Sequence, residues 1–382
     1  MDDKVYRILV INPGSTSTKY AYFENEEKVF DASISHTAEE LAGFATIQDQ
    51  LGYRKRMVED ACAEHGVDLD AIDAFAGRGG GMVPSPGGTY RINEKQVHDC
   101  EVAACGVHHP AQLAAQICWQ LKQEHGGDAF TTSGPDTDEY QDVARITGLS
   151  DVFRESRCHA LNQKEVAQRW CAERGKRYSE ANLVICHIGG GISITAHRKG
   201  KMVDGTDILS GEGPMTPTRA GAMQAVKIVN MAFSGDYTKE QLVERLTKRG
   251  GFLDHLGTDD GREVRARIAA GDGYAKLVYD ALIYQICKFI GQNAVVLEGK
   301  VDGIILTGGM AHDGYLTSEV ERQTGWIAPV TVMPGEFELE ALAAGALRVL
   351  RGEEEALDYT GIPTFSGFDS LKRTDETEDN PV

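Results

Sequence analysis

The chain carries one device twice: a short apolar strand, a turn of glycines and hydroxyls, and a second short strand. The first copy runs Arg7-Ile-Leu-Val-Ile-Asn12-Pro-Gly14-Ser15-Thr16-Ser17-Thr18-Lys19-Tyr-Ala-Tyr-Phe23. The second runs Asn182-Leu-Val-Ile-Cys-His187-Ile-Gly189-Gly190-Gly191-Ile-Ser193-Ile-Thr195-Ala-His197. Such turns leave backbone N–H groups free, and the missing side chains let a phosphate come close. Hydroxyls and Lys19 or His187 add hydrogen bonds and positive charge. Two of these turns, about 175 residues apart, predict two like halves facing one polyphosphate, and so ATP chemistry. The turns are not of the G-x-x-x-x-G-K-[ST] type, which the chain lacks.

The elements around the turns repeat in order. Strands are expected over Tyr6–Ile11, Lys19–Phe23 and Lys28–Ile34, a long helix over Ala38–His65, and a buried strand over Ala71–Ala76. A helix over Pro110–His125 and a strand over Asp128–Thr132 close the first half. The second half begins with strands over Leu183–Cys186, Ile192–His197 and Lys201–Asp204. Helices follow over Gly221–Phe233, Thr238–Thr247, Val264–Ala270 and Tyr274–Leu297. Then come a strand over Val301–Leu306, a helix over Leu316–Thr324, a strand over Ala328–Met333 and a helix over Leu339–Leu350. Three strands, helix, strand, helix, strand, occurring twice at so long a period, predicts duplicated domains rather than a solenoid. The expected division is residues 1–155 and 156–338, with a terminal helix in 339–365 packing back on the first half. Residues 366–382 are expected to form a solvated tail.

Composition bounds the alternatives. At 382 residues with 41% hydrophobic content, two domains can each bury a core. A net charge of −19 excludes a nucleic-acid partner, which needs clustered Lys and Arg. No apolar run reaches the ~20 residues that span a bilayer, and the N-terminus does not read as a signal peptide. Eight cysteines without a C-x-x-C pair suit reduced thiols in the cytoplasm rather than disulfides or zinc.

Within this frame, Ile11-Asn-Pro-Gly-Ser-Thr-Ser-Thr-Lys19 resembles the first signature of the acetate and butyrate kinase family, in the superfamily of actin, sugar kinases and Hsp70. Cys158-His-Ala-Leu-Asn-Gln-Lys164, His187-Ile-Gly-Gly-Gly-Ile-Ser193, Ser210-Gly-Glu-Gly-Pro214, Ile305-Leu-Thr-Gly-Gly309 and Pro334-Gly-Glu-Phe-Glu338 are similar to its butyrate kinase branch. The resemblance implies a duplicated ribonuclease H-like α/β fold with an interdomain cleft. It implies reversible, direct in-line transfer from ATP to a short-chain carboxylate, butyrate or a branched acid of four or five carbons, yielding ADP and an acyl phosphate. An acetate or propionate kinase is the same-class alternative, and a nucleotide-binding paralogue without transfer is the other. A cytoplasmic homodimer or higher homo-oligomer is expected.

The resemblance also assigns roles. Asn12, Ser15, Ser17, Lys19, Gly189, Gly190 and Gly191 are expected at the nucleotide phosphates, and Thr307, Gly308 and Gly309 at adenine or ribose. Arg78, His159, His187 and Arg219 are the expected catalytic groups. Arg78 and Arg219 are planar cations on glycine-flanked turns, suited to gripping a carboxylate or phosphate with two bonds. A carboxylate needs no general base, so the histidines are expected to stabilise charge rather than move protons. Glu338, with Asn12, is the expected Mg²⁺ contact. Either His108 or His109, with Cys158, is expected in the acyl pocket. Cys158 stands where the family commonly has Phe. Ser133 stands where it has Asp, so that Asp136 or Asp138 is a candidate substitute.

Overall fold

The computed structural model describes residues 4–369. Its strands are β1 (Arg7–Pro13), β2 (Ser17–Glu24), β3 (Glu27–Ser35), β4 (Ala74–Gly77), β5 (Thr89–Arg91), β6 (Asp128–Thr132), β7 (Asn182–Ile188), β8 (Ile192–Arg198), β9 (Lys201–Gly205), β10 (Gly303–Thr307), β11 (Val330–Val332) and β12 (Leu357–Asp358). They form a seven-stranded sheet ordered β12-β5-β6-β4-β1-β2-β3 and a five-stranded sheet ordered β11-β10-β7-β8-β9. Without the edge strands β12 and β5 the two orders are the same. In each, an antiparallel meander is extended by two parallel strands. This is the ribonuclease H-like arrangement, present twice.

Period-two alternation explains how each sheet buries both faces. Along β1, Leu9 and Ile11 join the core under the helix Gln112–His125, while Ile8 and Val10 join the core of the helix Glu338–Leu350. Along β7, Val184, Cys186 and Ile188 meet the helix Gly273–Val296, while Leu183 and Ile185 meet the helix Ala160–Ala172. The terminal helix therefore packs on the first sheet through Leu342 and Ala346, and Leu161 of the helix Ala160–Ala172 joins the same cluster. These two helices sit at the junction of the halves.

The structure differs from the sequence reading in several places, among them the unexpected helix Gly251–Leu256. The helix expected over Ala38–His65 is broken. Gly43 caps a short helix, Ala38–Ala42, and Thr46 and Asp49 exchange backbone-to-side-chain bonds that start the chain again before Leu51–Glu64. Strand β5 and the helix Glu94–Val102, capped by Asn93 accepting from the Gln96 N–H at 2.9 Å, were not anticipated. At the C-terminal end Phe368 is packed: its ring lies 5.5 Å from Phe153, beside Phe365. The expected tail beyond Asp369 lies outside the described residues.

Candidate active site

The first turn ends β1 and is held from below. Arg54, fully buried in the helix Leu51–Glu64, donates to the Gly14 carbonyl at 3.0 Å, the Ser17 carbonyl at 3.2 Å and the Thr18 hydroxyl at 3.0 Å. One guanidinium thus fixes the turn that carries Ser15 and Ser17. Asn12, 4% exposed, donates its Nδ2–H to Glu338 Oε2 at 2.8 Å. Arg78 stands just past β4, the parallel neighbour of β1, and its backbone N–H donates to the Ile11 carbonyl. That register brings its guanidinium 3.5 Å from the same Glu338 oxygen. Burial pushes the Glu338 carboxyl up, but Arg78, the Asn12 bond, His187 and Lys19 together hold it below its ordinary value. Lys19 is half-exposed and faces Glu336 at 3.9 Å.

The second turn is built from uncharged groups. His187, near the end of β7, receives a hydrogen bond at Nδ1 from Asn162 Nδ2, 2.9 Å away. The orientation of Asn162 is set by its other end, where Oδ1 accepts from the Phe337 N–H at 2.9 Å. His187 must then carry its proton on Nε2. His159 is fixed similarly. Ser193 Oγ accepts from Gln163 Nε2 at 2.8 Å, leaving its hydroxyl proton for His159 Nδ1 at 2.8 Å. The two imidazoles stack with centroids 3.8 Å apart. Burial, opposed by Glu338 but reinforced by Arg78, depresses His187 to about 4. Burial and the charges of His187, Arg78 and Arg219 depress His159 well below its ordinary value. Near neutral pH both are neutral donors.

Arg219 comes from the loop after β9 and passes over the glycine turn. A Cβ on Gly191 would lie 2.2 Å from Arg219 Nη1, so the bare glycine lets the guanidinium through. That Nη1 is buried and makes no hydrogen bond among the described residues. An unpaired buried cationic donor at this place fits a ligand anion.

Arg78, Arg219, His109 and Cys158 line one cavity of about 290 Å³, with walls from both halves. Asn12, Lys19, Glu336 and Glu338 line an adjoining one of about 230 Å³. Gly309 opens a third, of about 640 Å³, with Asp260, Arg262, Met310 and His312. Strand β10 pairs Thr307 with His187, which connects this third cavity to the second turn. Gly308, at φ +89, follows, and a Cβ there would lie 2.5 Å from the Ile188 carbonyl. Gly189 and Gly190 lie at the turn tip, where the Gly189 N–H donates to the Gly191 carbonyl at 3.0 Å.

Three sequence expectations are corrected here. His108 is exposed and does not line the cavity of Arg78 and Arg219. His109 does, because its Nδ1 accepts from the Ala111 N–H at 3.1 Å, which turns Nε2 toward Ser15. Thr307 is fully buried and lines none of the three cavities described above. Its hydroxyl donates to the Gly335 carbonyl at 3.2 Å and accepts from Asn162 at 3.1 Å, so it positions His187 through that amide. Asp138 is committed to Arg145 by two bonds, at 2.8 and 2.7 Å, and Ser133 lines a different cavity. Of the candidate carboxylates only Asp136 lines the cavity of Arg78 and Arg219. Arg54, Asn162, Ser193 and, in the third cavity, Asp260, Arg262, Met310 and His312 carry no expectation from the sequence.

Residues 149–324 match the model of the acetokinase family. A probable butyrate kinase from Clostridium botulinum (strain Alaska E43 / Type E3) is 43% identical over 354 residues, covering 93% of this chain and 99% of the relative. The chain belongs to the acetokinase family. A second probable butyrate kinase, from Clostridium botulinum (strain Eklund 17B / Type B), is equally similar, at 43% over the same coverage. Among solved structures, Porphyromonas gingivalis acetate kinase superposes with a TM-score of 0.74 at 19% identity, over 90% of this chain and 100% of that one. A propionate kinase from Francisella tularensis gives 0.70 at 17%, over 89% and 98%. These two establish the duplicated fold. Membership makes this chain an ATP-dependent phosphotransferase with a carboxyl acceptor.

Proposed function

We propose that the enzyme phosphorylates butyrate or a branched acid of four or five carbons, with Arg78 and Arg219 holding the reacting groups. The observation that carries this reading is the convergence of both arginines on one cavity, beside two neutral Nε2–H donors. A carboxylate oxygen attacks the γ-phosphorus; the new O–P bond forms as the bond to the β,γ-bridging oxygen breaks, and ADP leaves. Charge on the equatorial oxygens is met by the guanidinium groups and by His159 and His187, with no proton transferred. The phosphates lie between the turn at Asn12–Lys19 and the turn at Gly189–Gly191, and the nucleoside lies along Gly308 and Gly309. Walls from both halves exclude water, which guards an acyl phosphate from hydrolysis.

Mg²⁺ fits the donor set beside Asn12, since one buried carboxylate and one amide oxygen are hard ligands that leave room for water. Glu338 and Asn12 would hold it, and the ion would offset phosphate charge. A homo-oligomer is supported by bare apolar faces. The helix Ala225–Ala232 buries no residue, leaving Val226 and nearby Phe233 exposed, and Leu277, Tyr284 and Val295 are exposed along Gly273–Val296. Light scattering at the enzyme's working concentration tests it; a monomer there rejects it. The eight unpaired cysteines support a cytoplasmic location, and no helix among the described residues is long and apolar enough to cross a membrane.

The deciding assay is hydroxamate trapping of acyl phosphate over acids of two to six carbons. Butyrate and isovalerate are expected to exceed acetate at least about tenfold, from ~0.8 kcal/mol per buried methylene. Equal use of acetate overturns the chain-length claim, and ATP binding without any acyl phosphate favours the non-transferring paralogue.

A further inference from the structure

The acyl cavity contains a polar pair that an unsubstituted alkyl chain would not use. Asp136, 5% exposed, and Arg157, with 11% of its side chain exposed, both line it. The same cavity is lined by the apolar Val107, Ile208 and Leu209 and by the Cys105 thiol. The pair is poorly mated. Asp136 Oδ1 stands 3.5 Å from Arg157 Nη1, its Oδ2 accepts a long bond of 3.3 Å from the Met82 N–H, its other side-chain partner is the weakly donating Cys105 thiol, and Arg157 Nη2 is 3.6 Å from Glu155. Two residues along, Asp138 and Arg145 show the close alternative, bidentate at 2.8 and 2.7 Å. A buried carboxylate and guanidinium left this far apart have bonding capacity for a third group.

The charge pattern selects that group. The reacting end of a substrate occupies Arg78 and Arg219, so Arg157 and Asp136 face whatever lies further along the chain. A second carboxylate would meet Asp136 and be repelled; an ammonium would meet Arg157. A hydroxyl can accept from Arg157 and donate to Asp136 at once. Resting on the carboxylate kinase reading above, we propose that the preferred substrates are short-chain hydroxy acids, whose hydroxyl bridges Asp136 and Arg157. A site built with buried polar groups rejects the analogue that leaves them unpaired. Asp136 and Arg157 are then specificity-determining residues.

The test compares kcat/KM for 3-hydroxybutyrate, 4-hydroxybutyrate, butyrate, succinate and 4-aminobutyrate. It follows ADP release, because a 4-hydroxyacyl phosphate can close to a lactone. One hydroxybutyrate is expected to exceed butyrate by about tenfold or more, with succinate and 4-aminobutyrate poorest. In the double variant Asp136→Leu/Arg157→Leu the order of hydroxybutyrate and butyrate reverses, and circular dichroism establishes that the variant is folded. If that variant does not fold, the wild-type panel decides alone. Butyrate turned over as well as or better than both hydroxy acids overturns the inference and leaves the kinase reading standing. A preference for succinate overturns it too. No ADP release with any acid overturns the kinase reading and the inference together.

Discussion

The two glycine-and-hydroxyl turns start from the same strand geometry and end in opposite chemistry. The first, after β1, is surrounded by charge: Arg54 clamps it from beneath, and Asn12, Arg78 and Glu338 meet at its edge. The second, after β7, is surrounded by neutral groups: His187 and His159 are stacked and held by an amide and a hydroxyl. The cation that passes over its glycines, Arg219, arrives from a separate loop. A duplicated fold can therefore keep a turn for its backbone while dividing the electrostatics. One side anchors anions and a cation, and the other presents uncharged donors that do not change state near neutral pH.

The sharpest way to break this comparison is to take the cation from the neutral side. Arg219→Ala is expected to lower turnover by about 10²–10³ while ATP still binds. Gly191→Ala is expected to act in the same direction, by up to about 10², because the methyl collides with the guanidinium it should leave in place. Steady-state kinetics with nucleotide titration reads both; near-normal turnover of Arg219→Ala removes Arg219 from the reacting set, and near-normal turnover of Gly191→Ala shows that the flexible guanidinium gives way to the methyl.

On the charged side, Arg54→Met should leave the carbonyls of Gly14 and Ser17 without their donor. A loss of about 2–3 kcal/mol in denaturant unfolding is expected, with weaker nucleotide binding. Unchanged stability would show that the turn does not depend on the clamp.

Asn162→Ala frees the His187 tautomer without touching any ligand. About tenfold in kcat is expected, the value of one hydrogen bond, with KM for ATP little changed. A KM effect alone would place Asn162 in nucleotide binding.

The smallest expected effect is one of pH. With His187 at about 4 against an ordinary 6.5, kcat should stay level from pH 8 to about 5 and show no histidine step between. Stability moves instead. Below about 6.5 the unfolded chain takes up a proton that the folded ring refuses, so stability falls as pH drops toward 4. A kinetic pKa near 6.5 that vanishes in His187→Asn would overturn the neutral-donor account.

Strands and turns were legible in the sequence because period-two alternation and glycine clusters are local. Arg78 and Arg219, cations on glycine-flanked turns, and Glu338, expected from the resemblance, are brought to the neighbouring cavities. Groups that act through another were not legible. Asn162 reaches His187, Ser193 reaches His159, and Arg54 reaches Gly14, each through pairings between separate elements. Nothing in the spacing separates His108 from His109; the choice is made by one backbone N–H, that of Ala111. The interrupted helix near Gly43 misled because the apolar spacing continues across the Thr46–Asp49 cap.

The terminal helix has a consequence for how the protein is made. The face of the first sheet bearing Ile8, Val10, Ala74 and Phe130 is covered by Leu342 and Ala346. Strand β6 leaves the ribosome about 220 residues before that helix ends. At ~5–20 residues per second this is roughly ten to forty seconds of synthesis. During that interval the nascent first half holds an apolar sheet face without its lid, and Asn12 lacks the carboxylate it will later meet. Folding of the first half and assembly of the catalytic centre are thus completed by the same late event.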